Sequence, residues 1–192
     1  MRSIVFATGN PHKIKEVSEM LGSSLHIISL ETIGCHEDIP ETSPTIEGNA
    51  LQKAWYVKEN YGQDCFAEDT GLEVEALDGE PGVYSARYAG PQRNPEDNMA
   101  LLLQKLAGQE NRRARFKTVV ALILGEKVYT FEGIVNGTIG LEKSGTGGFG
   151  YDPIFFPEEA TQSFAAMDAR EKNVISHRGR AIAKLVDFLS TL

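Results

Sequence analysis

Two carboxylates stand side by side, Glu68 and Asp69, at the end of the apolar run Cys65-Phe66-Ala67. A carboxylate placed there is costly unless it is solvated, paired or bound to a metal. Hard divalent cations take carboxylate oxygens, and Mg²⁺ commonly combines one or two carboxylates with substrate phosphates. Thr70 and Gly71 follow directly. Glu68–Gly71 therefore reads equally as a metal-bearing acidic pair or as a β-turn, where Asp and Gly are common.

Three other groups could do chemistry. Thr8-Gly9-Asn10 separates a short apolar run from a helical pattern that starts at Pro11. Free N–H groups at such a helix start, with the positive end of its dipole, make an anion site. Lys13 lies in that first turn, where a cation opposes the dipole; it is either a solvated surface charge or a contributor to phosphate binding. No GxxxxGK[ST] phosphate loop occurs. Ser144–Asp152 reads SGTGGFGYD. Glycine clusters mark backbone that turns sharply or approaches a partner closely. Phe149, between Gly148 and Gly150, is either part of a plain surface loop or a platform on which a flat ring stacks. Finally, Arg170, Lys172, His177, Arg178, Arg180 and Lys184 gather positive charge near the C-terminus. They form a solvated basic face or a site for an anionic or hydrogen-bond-accepting ligand.

These residues need elements to hold them. Ser3–Ala7 is a buried strand, followed by a helix carrying Ile14, Val17, Met20 and Leu21 and closed by Gly22. Leu25–Leu30 is a second strand, and Glu31–Pro44 an exposed acidic connection. Asn49–Asn60 reads as a helix bearing Lys53, by itself an ordinary surface residue. Leu72–Leu77 alternates like a half-buried strand, and Asp78–Pro95 is a long Gly/Pro loop of the kind that is often functional. A helix then runs from Asn94-Pro95 to Leu106. Phe116–Leu124 and Lys127–Gly133 form a hairpin around Gly125-Glu126, with Ile134–Leu141 continuing as strand or loop. Pro153–Phe156 is a short strand, Thr161–Asn173 a short helix, and Ser176 the N-cap of a last helix.

The chain has 192 residues and is 41% hydrophobic, enough to bury a core as one large domain or as two lobes sharing one. A net charge of −8 argues against general nucleic-acid binding, which needs a basic face. Cys35 and Cys65 fit neither a disulfide framework nor a metal motif, so free thiols in a reducing compartment are expected. MRSIVFA runs straight into TGN, so no signal peptide is expected, and no stretch is long enough to span a bilayer. A soluble, cytoplasmic protein is the expectation.

TGNPHK, ETSPTIEGNALQKA, AEDTGLEVEALDGEPGVYSARYAG, GTGGFGYDPIFF and EKNVISHR occur in that order, and from Ile4 to the C-terminal helix the chain resembles the inosine/xanthosine triphosphate pyrophosphatase family. The resemblance implies Mg²⁺-dependent hydrolysis of non-standard purine nucleotides (ITP, dITP, XTP) to the monophosphate and pyrophosphate. It implies an α/β fold, a long mixed sheet bent into two lobes with flanking helices and an active-site cleft between them, and a homodimer. Asp69 would be catalytic, activating water directly or through the metal, with Glu41 and Glu68 as further metal ligands. Thr8, Gly9, Asn10, Lys13 and Lys53 would hold phosphates, and Thr70 joins the substrate-binding set. Phe149 would stack on the purine, with Gly150, Tyr151 and Asp152 beside it. Lys172, His177 and Arg178 would meet the 6-oxo edge of the base. Cationic donors suit the acceptor that hypoxanthine and xanthine present there and leave the adenine amino group unpaired. Guanine shares the 6-oxo group, so these donors exclude adenine rather than guanine.

One position departs from the family. Glu often precedes the Asn of its ENAxxKA motif; here Gly48 does, and Glu47 stands one residue earlier. Glu47 therefore ranks below Asp69 and Glu41 as a site residue. A nucleotide sensor that binds without cleaving is the competing reading. Both lysines and the acidic pair weigh against it, since a pure binder has no need of a metal-water site.

Overall fold

Apolar β-formers at Ser3–Phe6 (β1) put three consecutive residues into the interior, so β1 is a central strand rather than an edge. The computed structural model describes residues 3–22 and 25–192. Among them, strands β1, His26–Ile28 (β2), Cys65–Val74 (β3), Pro81–Gly82 (β4), Arg113–Leu124 (β5), Lys127–Ile139 (β6) and Phe155–Pro157 (β7) form one sheet. Its order is β2-β1-β3-β5-β6-β7, with β4 on β3. β1 runs parallel to β2 and β3, whereas β4 on β3 and β7 on β6 are antiparallel. The expected α/β class with a mixed sheet is observed. No helix of the described residues is long and apolar enough to cross a membrane.

Contacts divide the chain into two units, one of residues up to Asp69, Thr118–Gly133 and Arg178–Leu192, the other of Thr70–Lys117 and Ile134–His177. In the first, helices Pro11–Leu21 (α1) and His177–Ser190 (α5) supply Val17, Leu21, Ala181, Ile182 and Leu185 to a core with Ile4, Phe6, Phe66, Val120 and Leu122. Phe6 and Phe66 stack at 4.5 Å between ring centroids, tying β1 to β3. Helix Ile46–Tyr61 (α2) buries Ala50, Ala54 and Val57, and the Cys65 thiol donates to the Ala54 carbonyl. Cys35 and Cys65 are both buried free thiols. In the second unit, helix Pro95–Lys105 (α3) packs Met99 and Leu102 with Leu72, Phe116, Val135, Ile139, Phe155 and Phe164. Helix Ala169–Ile175 (α4) begins with a capping box between Asp168 and Glu171.

Several sequence expectations are corrected. Glu68–Gly71 is not a β-turn: β3 runs unbroken through all four residues and is buried almost throughout. Leu72–Leu77 is strand only to Val74, and Glu75–Leu77 forms a 3-10 turn. α2 starts at Ile46, three residues before Asn49, because the Thr45 side chain accepts from the Gly48 N–H and caps it. β5 starts at Arg113 and β6 runs on to Ile139. Of the stretch Thr161–Asn173 expected to be helical, only the part from Ala169 is, and that helix, α4, runs on to Ile175.

Candidate active site

The first unit gathers the acidic pair and its cations. β3 alternates its side chains, so Glu68 and Asp69 point to opposite faces. Glu68 is fully buried, and both of its oxygens accept from Arg178 Nε at 3.0 Å. Lys13 Nζ lies 3.2 Å from Glu68 Oε1, and Arg178 Nη1 donates to Glu16 Oε2 at 2.6 Å. Two cations and two anions thus alternate in a buried network. Burial alone would raise the Glu68 pKa; Arg178 and Lys13 overcome it and hold it at about 2. Burial pushes the Lys13 ammonium down, with Glu68 opposing. Arg178 is therefore placed on Glu68 and Glu16, whereas the resemblance put it at the base edge. Glu68, a metal candidate from sequence, has its carboxylate engaged by two cations.

Asp69 is placed differently. Lys53 Nζ reaches Asp69 Oδ1 at 3.5 Å and Glu41 Oε1 at 2.5 Å, so one ammonium bridges two carboxylates. Asp69 Oδ2 is buried with no hydrogen-bond partner among the described residues. Burial raises the Asp69 pKa above the usual carboxylate range, and the nearby ammonium groups of Lys53 and Lys13 pull it back. The Asn49 side chain also lowers it. An unsatisfied buried carboxylate oxygen costs stability unless something from outside completes it. Asp69 and Glu41 supply oxygen donors of the type that a hard cation such as Mg²⁺ takes. Among the described residues no group of three or more His, Cys, Asp or Glu side chains could hold a metal ion.

The Thr8–Lys13 turn is more self-contained than its sequence suggests. Asn10 Oδ1 accepts from the N–H groups of His12 at 3.0 Å and Lys13 at 3.3 Å, and Thr8 Oγ1 accepts from Asn10 N–H at 3.2 Å. The free helix-start amides expected for an anion are therefore already capped, and Pro11 has none to give. Gly9 is exposed in the turn, and the Lys13 ammonium is paired with Glu68.

The second unit holds the aromatic loop. Gly148 and Gly150 have φ of +66° and +61°, backbone that other residues rarely adopt. A side chain at Gly148 would also collide with Asp152 Oδ2. That Oδ2 accepts from Phe149 N–H at 2.9 Å and from Lys172 Nζ at 2.7 Å. The buried Asp152 thus fixes both the loop and Lys172, whose ammonium sits 5.2 Å from the centre of the Phe149 ring. Tyr151 is buried and donates to the Ser85 carbonyl at 2.7 Å, so it anchors the loop. His177 is buried with its ring stacked on Phe116 at 4.4 Å. Thr70 is half-buried on β3.

Sequence reasoning missed Glu16, although its spacing of three from Lys13 puts both on one helix face. It also left Asn49 unassigned; that buried amide accepts from Ser43 N–H at 2.9 Å. Gly48 is explained: a side chain there would collide with Ser43 Oγ and crowd Thr45 Oγ1 at 2.8 Å. Glu47 is exposed on the first turn of α2, where negative charge favours the helix dipole.

The profile of the Ham1 family matches residues 4–188. A Flavobacterium johnsoniae protein named dITP/XTP pyrophosphatase is 57% identical over 187 residues, covering 97% of each chain. A Porphyromonas gingivalis protein of the same name is 53% identical over 190 residues, covering 98% of each. The solved Staphylococcus aureus Ham1 protein superposes with a TM-score of 0.90 at 38% identity, over 98% of both chains. A HAM1 protein from Coxiella burnetii does so with a TM-score of 0.91 at 35% identity, over 100% of both. Motif order, fold and full-length similarity agree, and this chain belongs to the Ham1 family.

Proposed function

We propose that this chain hydrolyses ITP, dITP and XTP, with Mg²⁺, to the nucleoside monophosphate and pyrophosphate. The names of its relatives support the substrate class. The observation that carries the reaction is Asp69, a buried carboxylate with one oxygen on Lys53 and the other unsatisfied among the described residues. Asp69 and Glu41 are the residues that would hold Mg²⁺, which supplies phosphate neutralisation and lowers the pKa of bound water. Water attacks the α-phosphorus, the α–β anhydride bond breaks and pyrophosphate leaves. Asp69 orients that water and takes its proton. Lys53 and Lys13 carry charge opposite the phosphates. For the purine, Phe149 supplies the stacking face, and Lys172, held by Asp152, donates to the 6-oxo group. A homodimer acting in the cytoplasm is proposed on the family resemblance; the two free cysteines suit a reducing compartment.

A panel of nucleoside triphosphates with Mg²⁺, scored for pyrophosphate against orthophosphate, tests this. ITP, dITP and XTP are expected to release pyrophosphate and ATP far less. Orthophosphate as the product, or equal turnover of ATP, would refute the reading. In the same assay Phe149→Ala raises KM for ITP about tenfold or more, since stacking on an aromatic side chain contributes about 1–3 kcal/mol per base. An unchanged KM would return the loop to a structural role.

A further inference from the structure

Glu41 lies on an irregular segment between the 3-10 turn Glu31–Ile33 and α2. Its ion pair with the buried Lys53 engages the carboxylate but does not fix the backbone that carries it. Something else must place the Glu41 backbone. α2 does so on both sides of it. Thr42 N–H donates to Gln52 Oε1 at 2.8 Å, and Gln52 Nε2 donates back to Thr42 Oγ1 at 2.9 Å. Ser43 N–H donates to Asn49 Oδ1 at 2.9 Å. On the other side, the Tyr56 and Tyr61 hydroxyls both donate to Glu37 Oε1, at 2.9 and 2.5 Å. Asn49, Gln52, Lys53 and Tyr56 recur at helical spacing, so one face of α2 carries these contacts together with the lysine that meets Glu41.

We infer that Gln52 is a positioning residue for Glu41: its two-point grip on Thr42, the next residue along, sets where the Glu41 carboxylate meets Lys53. The inference rests on the pyrophosphatase reading above. An amide is suited to the task because it donates and accepts at once, matching a backbone N–H and a hydroxyl on the same residue. The grip uses no charge, so it leaves Lys53 to the two carboxylates it bridges.

In the Gln52→Ala protein, kcat/KM for ITP with Mg²⁺ is expected to fall roughly 10–100-fold, the range for residues that orient a ligand without touching the metal. Thr42→Ala, at an exposed position, removes one of the two bonds, and a smaller loss of a few fold is expected with the fold kept. Two readouts separate positioning from general support. The Thr42 amide in ligand-free Gln52→Ala should exchange faster with deuterium, while amides in β1 and β3 keep their protection. In a Glu41→Gln background, Gln52→Ala should cost nothing further. Wild-type activity in Gln52→Ala, unchanged Thr42 exchange, or an equal loss in both backgrounds would overturn the inference. Absence of pyrophosphate release by the wild type would sink the functional reading instead, and the exchange result would stand apart from it.

Discussion

Replacing Asp69 with asparagine is expected to remove nearly all pyrophosphate release from ITP while leaving the chain folded. Asparagine keeps the shape and the contact of one oxygen but loses the charge that a metal ion needs and the basicity that water activation needs. General-base loss alone costs roughly 10²–10⁴-fold. The fold should survive, because Asp69 adds little to stability as it stands: burial disfavours its charge, and Oδ2 has no internal donor among the described residues. Substitution leaves Lys53 paired with Glu41 at 2.5 Å, so no cation is stranded. Circular dichroism and thermal melting alongside the pyrophosphate assay check both halves. Full activity in Asp69→Asn would remove Asp69 from the catalytic role.

Glu68→Gln, one residue away, should behave in the opposite manner, with a large loss of stability. Glu68 neutralises Arg178, which is 2% exposed, and Lys13, whose side chain is 14% exposed. Removing one member of a buried ion network leaves uncompensated charge and costs about 3–5 kcal/mol. Glu16 remains on Arg178 and offsets part of that. The urea midpoint should fall substantially with an unchanged slope. A midpoint equal to the wild type would show that the network contributes nothing to the fold. Adjacent acids on one strand thus divide the labour, since alternation sends one into a cationic core and the other to an unsatisfied position.

Much of this was legible in local sequence. Asn10-Pro11 and Asn94-Pro95 signal helix starts through chemistry confined to a few residues, and both asparagines cap as their type demands. Gly62 ends α2 in the left-handed conformation expected of a C-cap. The SGTGGFGYD loop was visible as backbone needing glycine: Gly145, Gly148 and Gly150 have positive φ, and the last two flank Phe149. The errors also have local causes. EDTG carries turn-favouring residues, yet burial on both faces of β3 keeps it extended, tertiary packing overriding propensity. The TGN turn looked open to an anion because nothing in its composition says that Asn10 and Thr8 accept its own amides.

The amino-acid sequence by itself determined most of the element order, the helix starts at Asn10-Pro11 and Asn94-Pro95, the glycine-framed aromatic and the set of charged residues from which the site is drawn. These depend on interactions spanning one to four residues, or on motifs whose order along the chain is the signal. Only the tertiary structure decided which charge meets which. Arg178 and Glu68 are 110 residues apart in sequence, and Arg178 and Glu16 are 162 apart. Lys53 joins Glu41 to Asp69 across 12 and 16 residues. Ion pairs in a low-dielectric interior are set by the packing of strands and helices around them, and no periodicity records that choice.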